Sequence, residues 1–195
     1  LATHLAETPE EIQCLEQRTG AIVDFARSIG VWNDDIGHSY VHPVDAICEI
    51  ASRPFLAAHC QYLEGHHFDL LRTVGASVVY CPRASAFFGH TDHPWKTLME
   101  HGLNVALGTD SILCLDTPNR LTVLDDMRFL FNQGEDATVL LKMATVNGAL
   151  ALGLEESHYH FGKGKIAGLL QFSEPENIGL EAVLKSVEMP LQIKL

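Results

Sequence analysis

Residues 54–83 read PFLAAHCQYLEGHHFDLLRTVGASVVYCPR, and this stretch decides the fold class. Two short apolar segments, 54–59 and 76–81, lie at its two ends, and a segment with helical spacing, 65–74, lies between them. Apolar strands of this length separated by a helix predict a βαβ unit whose strands run parallel and are covered on their faces. On the helix, His66 and His67 are predicted to lie on the solvent side.

The same alternation of apolar strands and amphipathic helices continues on both sides of this unit. The predicted strands outside it are 1–5, 103–107 and 166–172. The predicted helices outside it are 9–20, 21–29, 43–51, 93–101, 119–132 and 136–153, with a short one near 180–187. This order predicts an α/β fold with a parallel sheet, either as part of a barrel or as an open doubly wound sheet.

The first helix has a clear start signal. Thr8 is predicted as its N-cap, Pro9 as its first residue, and Glu11 as the residue that completes a capping box.

Composition excludes several classes of partner. The chain has 195 residues, enough for one domain with a core, and its formal net charge of −12 argues against nucleic acid and anionic membranes as partners. No apolar run is long enough to span a bilayer. The five cysteines are odd in number and form no CxxC pair, which favours a reducing compartment and hence the cytoplasm. Because the chain begins at Leu1, we expect it to be a piece of a longer protein.

Side chains that can bind metal follow the predicted strands one by one. His4 ends the first predicted strand, His59 ends the second, and Asp110 follows the fourth. The third strand ends at Cys81-Pro82-Arg83. In a (β/α)8 barrel the reactive groups lie at the carboxyl ends of the strands, and imidazole and carboxylate suit zinc or a related divalent metal. Glu7 follows closely and is suited to shuttle protons. Each residue also has a structural alternative, such as a turn-capping Asp or a first-turn carboxylate favoured by the helix dipole.

Four motifs together resemble strands five to eight of the amidohydrolase superfamily. The resemblance is to the branch of triazine chlorohydrolases and of guanine, cytosine, S-adenosylhomocysteine and aminofutalosine deaminases, and it covers roughly residues 1–172. The four motifs are His4-Leu5-Ala6-Glu7, Ala58-His59-Cys60, Cys81-Pro82-Arg83-Ala84-Ser85 and Gly108-Thr109-Asp110-Ser111. Further along, 145–149 resembles the helix after strand eight, and 162–167 resembles the return into a small β-sandwich.

The resemblance implies a fold and a reaction. Residues 1–155 would form the C-terminal half of a (β/α)8 TIM-type barrel, and 156–195 would return towards a small β-sandwich domain. The reaction would be metal-dependent hydrolysis of a carbon–nitrogen bond other than a peptide bond, namely deamination of a purine, a pyrimidine or a related N-heterocycle by a metal-activated water. The cofactor would be a divalent metal, zinc or alternatively iron, and the partner a small-molecule substrate.

The resemblance also implies residue roles. His4 and Asp110 would bind the metal, and Asp110 would also take a proton from the attacking water. His59 would hold or polarise the attacking group, and Glu7 would protonate a ring nitrogen.

Two further residues are candidates for contact with substrate. Arg83 could pair with an acidic group on the substrate, although a salt bridge to a neighbouring loop is an equal alternative. His90 could touch substrate, with an exposed position in its loop as the alternative.

The departures from the family pattern leave other functions open. The His-x-His that the family carries on its first strand has no counterpart here, so we expect activity of the intact chain and weak metal binding by this piece. Dehalogenation of a heterocycle by a chlorohydrolase is an alternative reaction. A non-catalytic α/β module is another alternative, and because exposed strand edges favour pairing, a homo-oligomer is compatible with either reading.

Overall fold

A computed structural model describes residues 1–34, 41–155, 158–160, 168–173 and 179–193. The chain folds as two compact units. Unit 1 comprises Leu1–Tyr80 and His90–Asn104, and unit 2 comprises Cys81–Gly89 and Val105–Leu195. The domain boundary expected after residue 155 stays a prediction, because residues 156–157 and 161–167 lie outside the described part of the chain.

One sheet contains the first four strands in the order β1-β2-β3-β4. β1 (Ala2–Leu5) pairs in parallel with β2 (Leu56–His59), and β2 pairs in parallel with β3 (Ser77–Tyr80). This confirms the predicted α/β fold with a parallel sheet. β4 (Asn104–Leu107) begins in unit 1, where the Asn104 side-chain amide donates to Ser77 Oγ at 3.1 Å.

The helices follow the predicted order with shorter bounds. They are α1 (Pro9–Gln17), α2 (Ala21–Ser28), α3 (Pro43–Ile50), α4 (Gly65–Thr73), α5 (Pro82–Phe87), α6 (Trp95–Glu100), α7 (Val123–Phe131), α8 (Ala137–Ala144), α9 (Val146–Ala151) and α10 (Leu180–Lys185). Among the residues that the structure describes, no helix is long and apolar enough to cross a membrane.

Each unit has its own apolar core. In unit 1 the fully buried side chains include Val44, Leu71, Val78 and Leu98, and in unit 2 they include Val105, Leu140 and Met143. Along β2 and β3 only every second residue is fully buried. The residues between them, including Leu56, Ala58 and Val79, line a shallow, mostly apolar cavity of about 210 Å³. One face of the sheet is therefore packed in unit 1 and the other is only partly covered.

Two predicted elements differ from the structure for identifiable reasons. Pro82 was expected only to end a strand, but it is the first residue of α5, the helical position at which proline is favoured. The single helix predicted over 136–153 is two helices, because Thr145 leaves helical geometry at φ −121° and ψ −81°. Thr145 Oγ1 donates to the Leu141 carbonyl at 2.6 Å, a back-bond that often bends helices. Asn147 then donates to the Val105 carbonyl of β4 at 2.7 Å.

The end of the chain forms a small antiparallel pair. β5 (Leu169–Gln171) pairs with β6 (Leu191–Ile193), and α10 lies between them in the sequence. The predicted last strand, 166–172, overlaps β5, while residues 166 and 167 lie outside the described residues.

The cap of α1 differs from the predicted capping box, because the Glu11 carboxylate bonds to residues upstream of the N-cap Thr8. Thr8 Oγ1 accepts from the Glu11 backbone N–H at 3.2 Å, as predicted. The Glu11 carboxylate accepts from the N–H groups of Ala6 and Glu7, both at 2.9 Å. Because Ala6 has a left-handed φ of 49°, these two bonds hold the sharp turn that follows β1.

We expect Glu11→Ala to lower the free energy of unfolding by about 1.5–3 kcal/mol, because it removes two hydrogen bonds to a charged acceptor. The matched variant is Glu10→Ala, an exposed carboxylate in the same first turn whose loss should cost less than about 1 kcal/mol. Urea unfolding of both variants measures the difference. Equal losses would show that Glu11 acts only through the helix dipole.

Candidate active site

Two histidines meet at the ends of neighbouring strands in unit 1. His4 is the third residue of β1, His59 is the last residue of β2, and the parallel register pairs His4 with Ala58. Their rings stack with centroids 4.9 Å apart and an interplanar angle of 22°. Ring nitrogens of the two lie within 4.8 Å of each other. His59 is buried, 2% exposed, whereas His4 is exposed.

A carboxylate stands beside this pair. Glu7 Oε1 lies 3.6 Å from His59 Nε2, and Glu7 is partly buried. The turn held by Glu11 places Glu7 here, so the side chain leans over the strand end and does not follow the alternation of a flat strand. An imidazole next to a carboxylate can pass or hold a proton, which is the chemistry expected of these two residue types.

The main chain at the end of β2 is in an uncommon conformation. His59 and Cys60 both have left-handed φ values, 69° and 53°. Such values are uncommon for residues other than glycine and often occur at functional sites. The Cys60 N–H donates to the carbonyls of Leu5 and Ala58, at 2.9 and 3.1 Å. The turn is therefore fixed against the end of β1.

His93 contacts this turn, a role that the sequence analysis missed. Its Nε2 donates to the His59 carbonyl at 2.5 Å, and its ring stacks on Tyr80 with centroids 3.9 Å apart. Burial lowers the pKa of His93 to about 4, so the ring is neutral at pH 7. The sequence contains one signal for a role of His93, namely its position in the segment after the third strand. His90 lies in the same segment, so this signal does not single out His93.

Two more hydrogen bonds join the segment after β2 to the segment containing His90. Gln61 Nε2 donates to the Thr91 carbonyl at 2.7 Å, and the Tyr62 hydroxyl lies 3.2 Å from His90 Nδ1. The Tyr62 and His90 rings meet edge to face at 5.6 Å. The structure therefore gives His90 a protein partner, and its contact with substrate stays a prediction.

Asp110 lies in unit 2, three residues after β4, with a left-handed φ of 57°. The Cys114 thiol lies 3.9 Å from its Oδ2 and donates to the Ser111 carbonyl at 2.9 Å. Burial, and then the charge of Asp110, raise the pKa of Cys81 to about 12. Metal binding by the Asp110 carboxylate stays a prediction.

Arg83 is held in a buried ionic network within unit 2. Its guanidinium donates to Asp126 at 3.1 Å, to Asp116 at 3.0 Å and to Thr117 Oγ1 at 2.9 Å. Burial raises the pKa of Asp126, and the bonds with Arg83 oppose that rise. Because Arg83 is 6% exposed and Asp126 is 0% exposed, these contacts favour the salt-bridge alternative, and substrate binding by Arg83 stays a prediction.

A second group of metal-type side chains consists of Asp45, His66 and His67 in unit 1. The expectation that both histidines face solvent is wrong for His67, which is 0% exposed. His67 Nδ1 accepts from the Glu64 backbone N–H at 2.8 Å, so the ring proton of the neutral form is on Nε2. That Nε2 faces Asp45 Oδ2 at 3.5 Å. A protonated nitrogen cannot bind a metal, so His67 is not a ligand in this tautomer. We call the group the ionic cluster of α3 and α4, because His66 also lies 3.1 Å from the Asp45 carboxylate.

Comparison with known proteins agrees with the α/β fold. A parallel sheet with reactive side chains at the carboxyl ends of its strands defines an α/β protein with a strand-end site. The model of the amidohydrolase family matches residues 1–187, and the chain belongs to this family.

The relatives give the chain its context. It is 29% identical over 165 residues to a 5-methylthioadenosine/S-adenosylhomocysteine deaminase of Pyrococcus abyssi, covering 78% of this chain and 33% of the relative. Among solved structures, Helicobacter pylori aminofutalosine deaminase matches with a TM-score of 0.79 and 23% identity over 98% of this chain and 49% of that one. An adenosine deaminase from Xanthomonas campestris with bound zinc matches with a TM-score of 0.63 and 22% identity, over 94% of this chain and 40% of that one. The chain spans about a third of the length of the curated relatives it matches first.

We expect Arg83→Met to lower the free energy of unfolding by about 3–5 kcal/mol, because it leaves Asp126 buried without its charge partner. Arg72→Met is the matched control, since Arg72 forms an exposed pair with Asp69 that should contribute about 1 kcal/mol or less. Urea unfolding measures both. If Arg83→Met unfolds like the wild type, the network does not stabilise unit 2 and Arg83 is free for another role.

The ionic cluster predicts a pH dependence of stability. Burial, and then the nearby His42 and His66, lower the pKa of His67 below its ordinary value of about 6.5. The neutral ring therefore stabilises the fold above about pH 6.5, and this contribution is lost as the pH falls through the folded-state pKa. His67→Gln keeps an acceptor at the same capping position and removes the titration. Between pH 7.5 and pH 5.5, the free energy of unfolding measured in urea should fall less in His67→Gln than in the wild type. An equal fall in both would refute the titration of His67 as the cause.

Proposed function

We propose that the full-length protein is a metal-dependent hydrolase that deaminates a small N-heterocycle. The observation that carries this proposal is the stacked pair of His4 and His59 at adjoining strand ends, with the Glu7 carboxylate 3.6 Å from His59. Membership of the amidohydrolase family, and relatives named as deaminases of adenosine-type nucleosides, support it. The substrate class follows from those names and from the proton-transfer groups beside the histidines.

The proposal includes the finer architecture. Residues 1–155 would be strands five to eight of a (β/α)8 barrel, and 156–195 would return towards a small β-sandwich. Two features support this arrangement: one face of β2 and β3 is only partly covered, and nearly the whole chain matches about half of the aminofutalosine deaminase structure. In a closed barrel that face would be interior, and the remainder of the protein would cover it.

His4 and Asp110 are the proposed metal ligands. The fit rests on their chemistry, since an exposed imidazole at a strand end and a carboxylate are nitrogen and oxygen donors suited to zinc, or alternatively iron. The structure of the related adenosine deaminase contains zinc. When bound, the metal supplies Lewis-acid activation and makes water a stronger acid, with a pKa near about 7.

The residues of this chain would then divide the proton transfers. Glu7 would donate a proton to a ring nitrogen, which makes the adjacent ring carbon more electrophilic. His59 would orient the attacking water and the leaving side of the substrate. Asp110 would accept a proton from that water and pass it to the departing nitrogen. One carbon–oxygen bond forms, one carbon–nitrogen bond breaks, and ammonia leaves. The second proton of the attacking water would return to Glu7 as the product carbonyl forms, which restores the acid.

We also infer a reducing compartment, the cytoplasm, for the protein. Its cysteines are all free, and four of the five are buried in the described structure. Free buried thiols of this kind pack as small apolar side chains.

The decisive variant is Asp110→Asn in the full-length protein. We expect it to lower kcat for deamination by about 10²–10⁴-fold, because a proton acceptor is lost, and to lower the bound zinc measured by plasma mass spectrometry. Asp92→Asn is a closely matched control, because Asp92 is exposed and has nearly the same φ, 56°.

The assay uses guanine, cytosine, adenosine-type and chlorinated triazine substrates and scores ammonia and chloride separately. Release of chloride without ammonia would replace deamination by dehalogenation. Full activity of Asp110→Asn would remove Asp110 from the mechanism.

A further inference from the structure

We propose that His93 is a positioning residue that holds His59 in its working orientation through the His59 main-chain carbonyl. The hydrogen bond itself stands independently of the reaction. Its effect on catalysis rests on the proposed function.

The turn at the end of β2 has a conformation that needs support. His59 and Cys60 are consecutive residues with left-handed φ, which side chains other than glycine rarely adopt. Such a turn persists only when surrounding contacts fix it. On one side the Cys60 N–H is bound by the carbonyl of Leu5. On the other side the His59 carbonyl accepts from His93 Nε2 at 2.5 Å. The peptide group between His59 and Cys60 is therefore held at both of its polar atoms.

The His93 ring is itself fixed by packing. Its ring stacks on Tyr80 with centroids 3.9 Å apart and planes inclined by 19°. Tyr80 is the last residue of β3, the strand next to β2, so the donor is anchored to the same sheet as the group it holds. A hydrogen bond from Gln61 Nε2 to the Thr91 carbonyl also joins the segment after β2 to the segment that contains His93.

The bond from His93 acts on the site through the His59 backbone. The direction of the His59 side chain depends on the backbone angles at His59. If the carbonyl loses its donor, the peptide can rotate towards an ordinary conformation and carry the imidazole away from Glu7 and His4. Displacement of a reacting group by about 1 Å can cost about 100-fold in rate. His93 would act through His59, because its Nε2 donates to the His59 carbonyl while its ring stacks on Tyr80.

The test uses two variants of the full-length protein. His93→Phe keeps a flat ring on Tyr80 and removes the donor, whereas His93→Gln restores a side-chain N–H. We expect His93→Phe to lower kcat by about 10–100-fold with little change in KM, and His93→Gln to recover most of that loss. His101→Phe is the matched control, because His101 is an exposed histidine that stacks on Phe68 and should leave kcat unchanged.

A second readout does not need activity. Nitrogen-15 NMR of the histidine rings should show His93 as the Nε2–H tautomer, and the His59 ring signals should shift in His93→Phe and return towards wild-type positions in His93→Gln. The Nδ1–H tautomer, unmoved His59 signals, or equal kcat losses in the two variants would overturn the proposal. If the wild type releases no ammonia from any substrate, the proposed function fails, and the NMR result still decides the role of His93.

Discussion

The parallel pairing of β1 with β2 is the constraint on which the rest of the site depends. Its register sets His4 opposite Ala58 and Leu5 opposite His59, so the two imidazoles come from positions one residue apart on adjoining strands. Regular pleating would point two such residues to opposite faces, and the left-handed φ of His59 at the end of β2 accompanies the stacking of the two rings. Along β2 and β3 the residues alternate between buried and partly exposed, so a shift by one residue would expose the buried set.

At the strand ends, where the chemistry is proposed, the backbone takes conformations that regular strands and helices do not have. Ala6, His59, Cys60 and Asp110 all have left-handed φ values. The neighbouring groups that satisfy their main-chain atoms, such as the Glu11 carboxylate and the His93 ring, are held by a helix and by a strand. The fold thus supports unusual conformations at the strand ends with contacts from regular elements, which is how a rigid site can be built on turns.

Charged groups in this protein have two separate uses. Arg83 and Asp126 form a buried pair within unit 2, and Asp45 with His66 and His67 forms a cluster on two helices of unit 1. Both contain residue types that also serve catalysis. Their partners distinguish them, since Arg83 donates to Asp116 and Asp126 and His67 Nδ1 accepts from the Glu64 backbone N–H.

The sequence by itself determined the parallel α/β fold, the order of the elements and the family, because strand periodicity, capping residues and strand-end motifs are local patterns. Tertiary structure alone decided that Glu7 stands beside His59, that His67 is buried, and that His93 contacts the His59 carbonyl. Each of these depends on residues far apart in the chain, or on a turn whose shape Glu11 fixes through side-chain hydrogen bonds. Periodicity reports which face of an element is apolar, and it carries no information about which distant polar group that face meets.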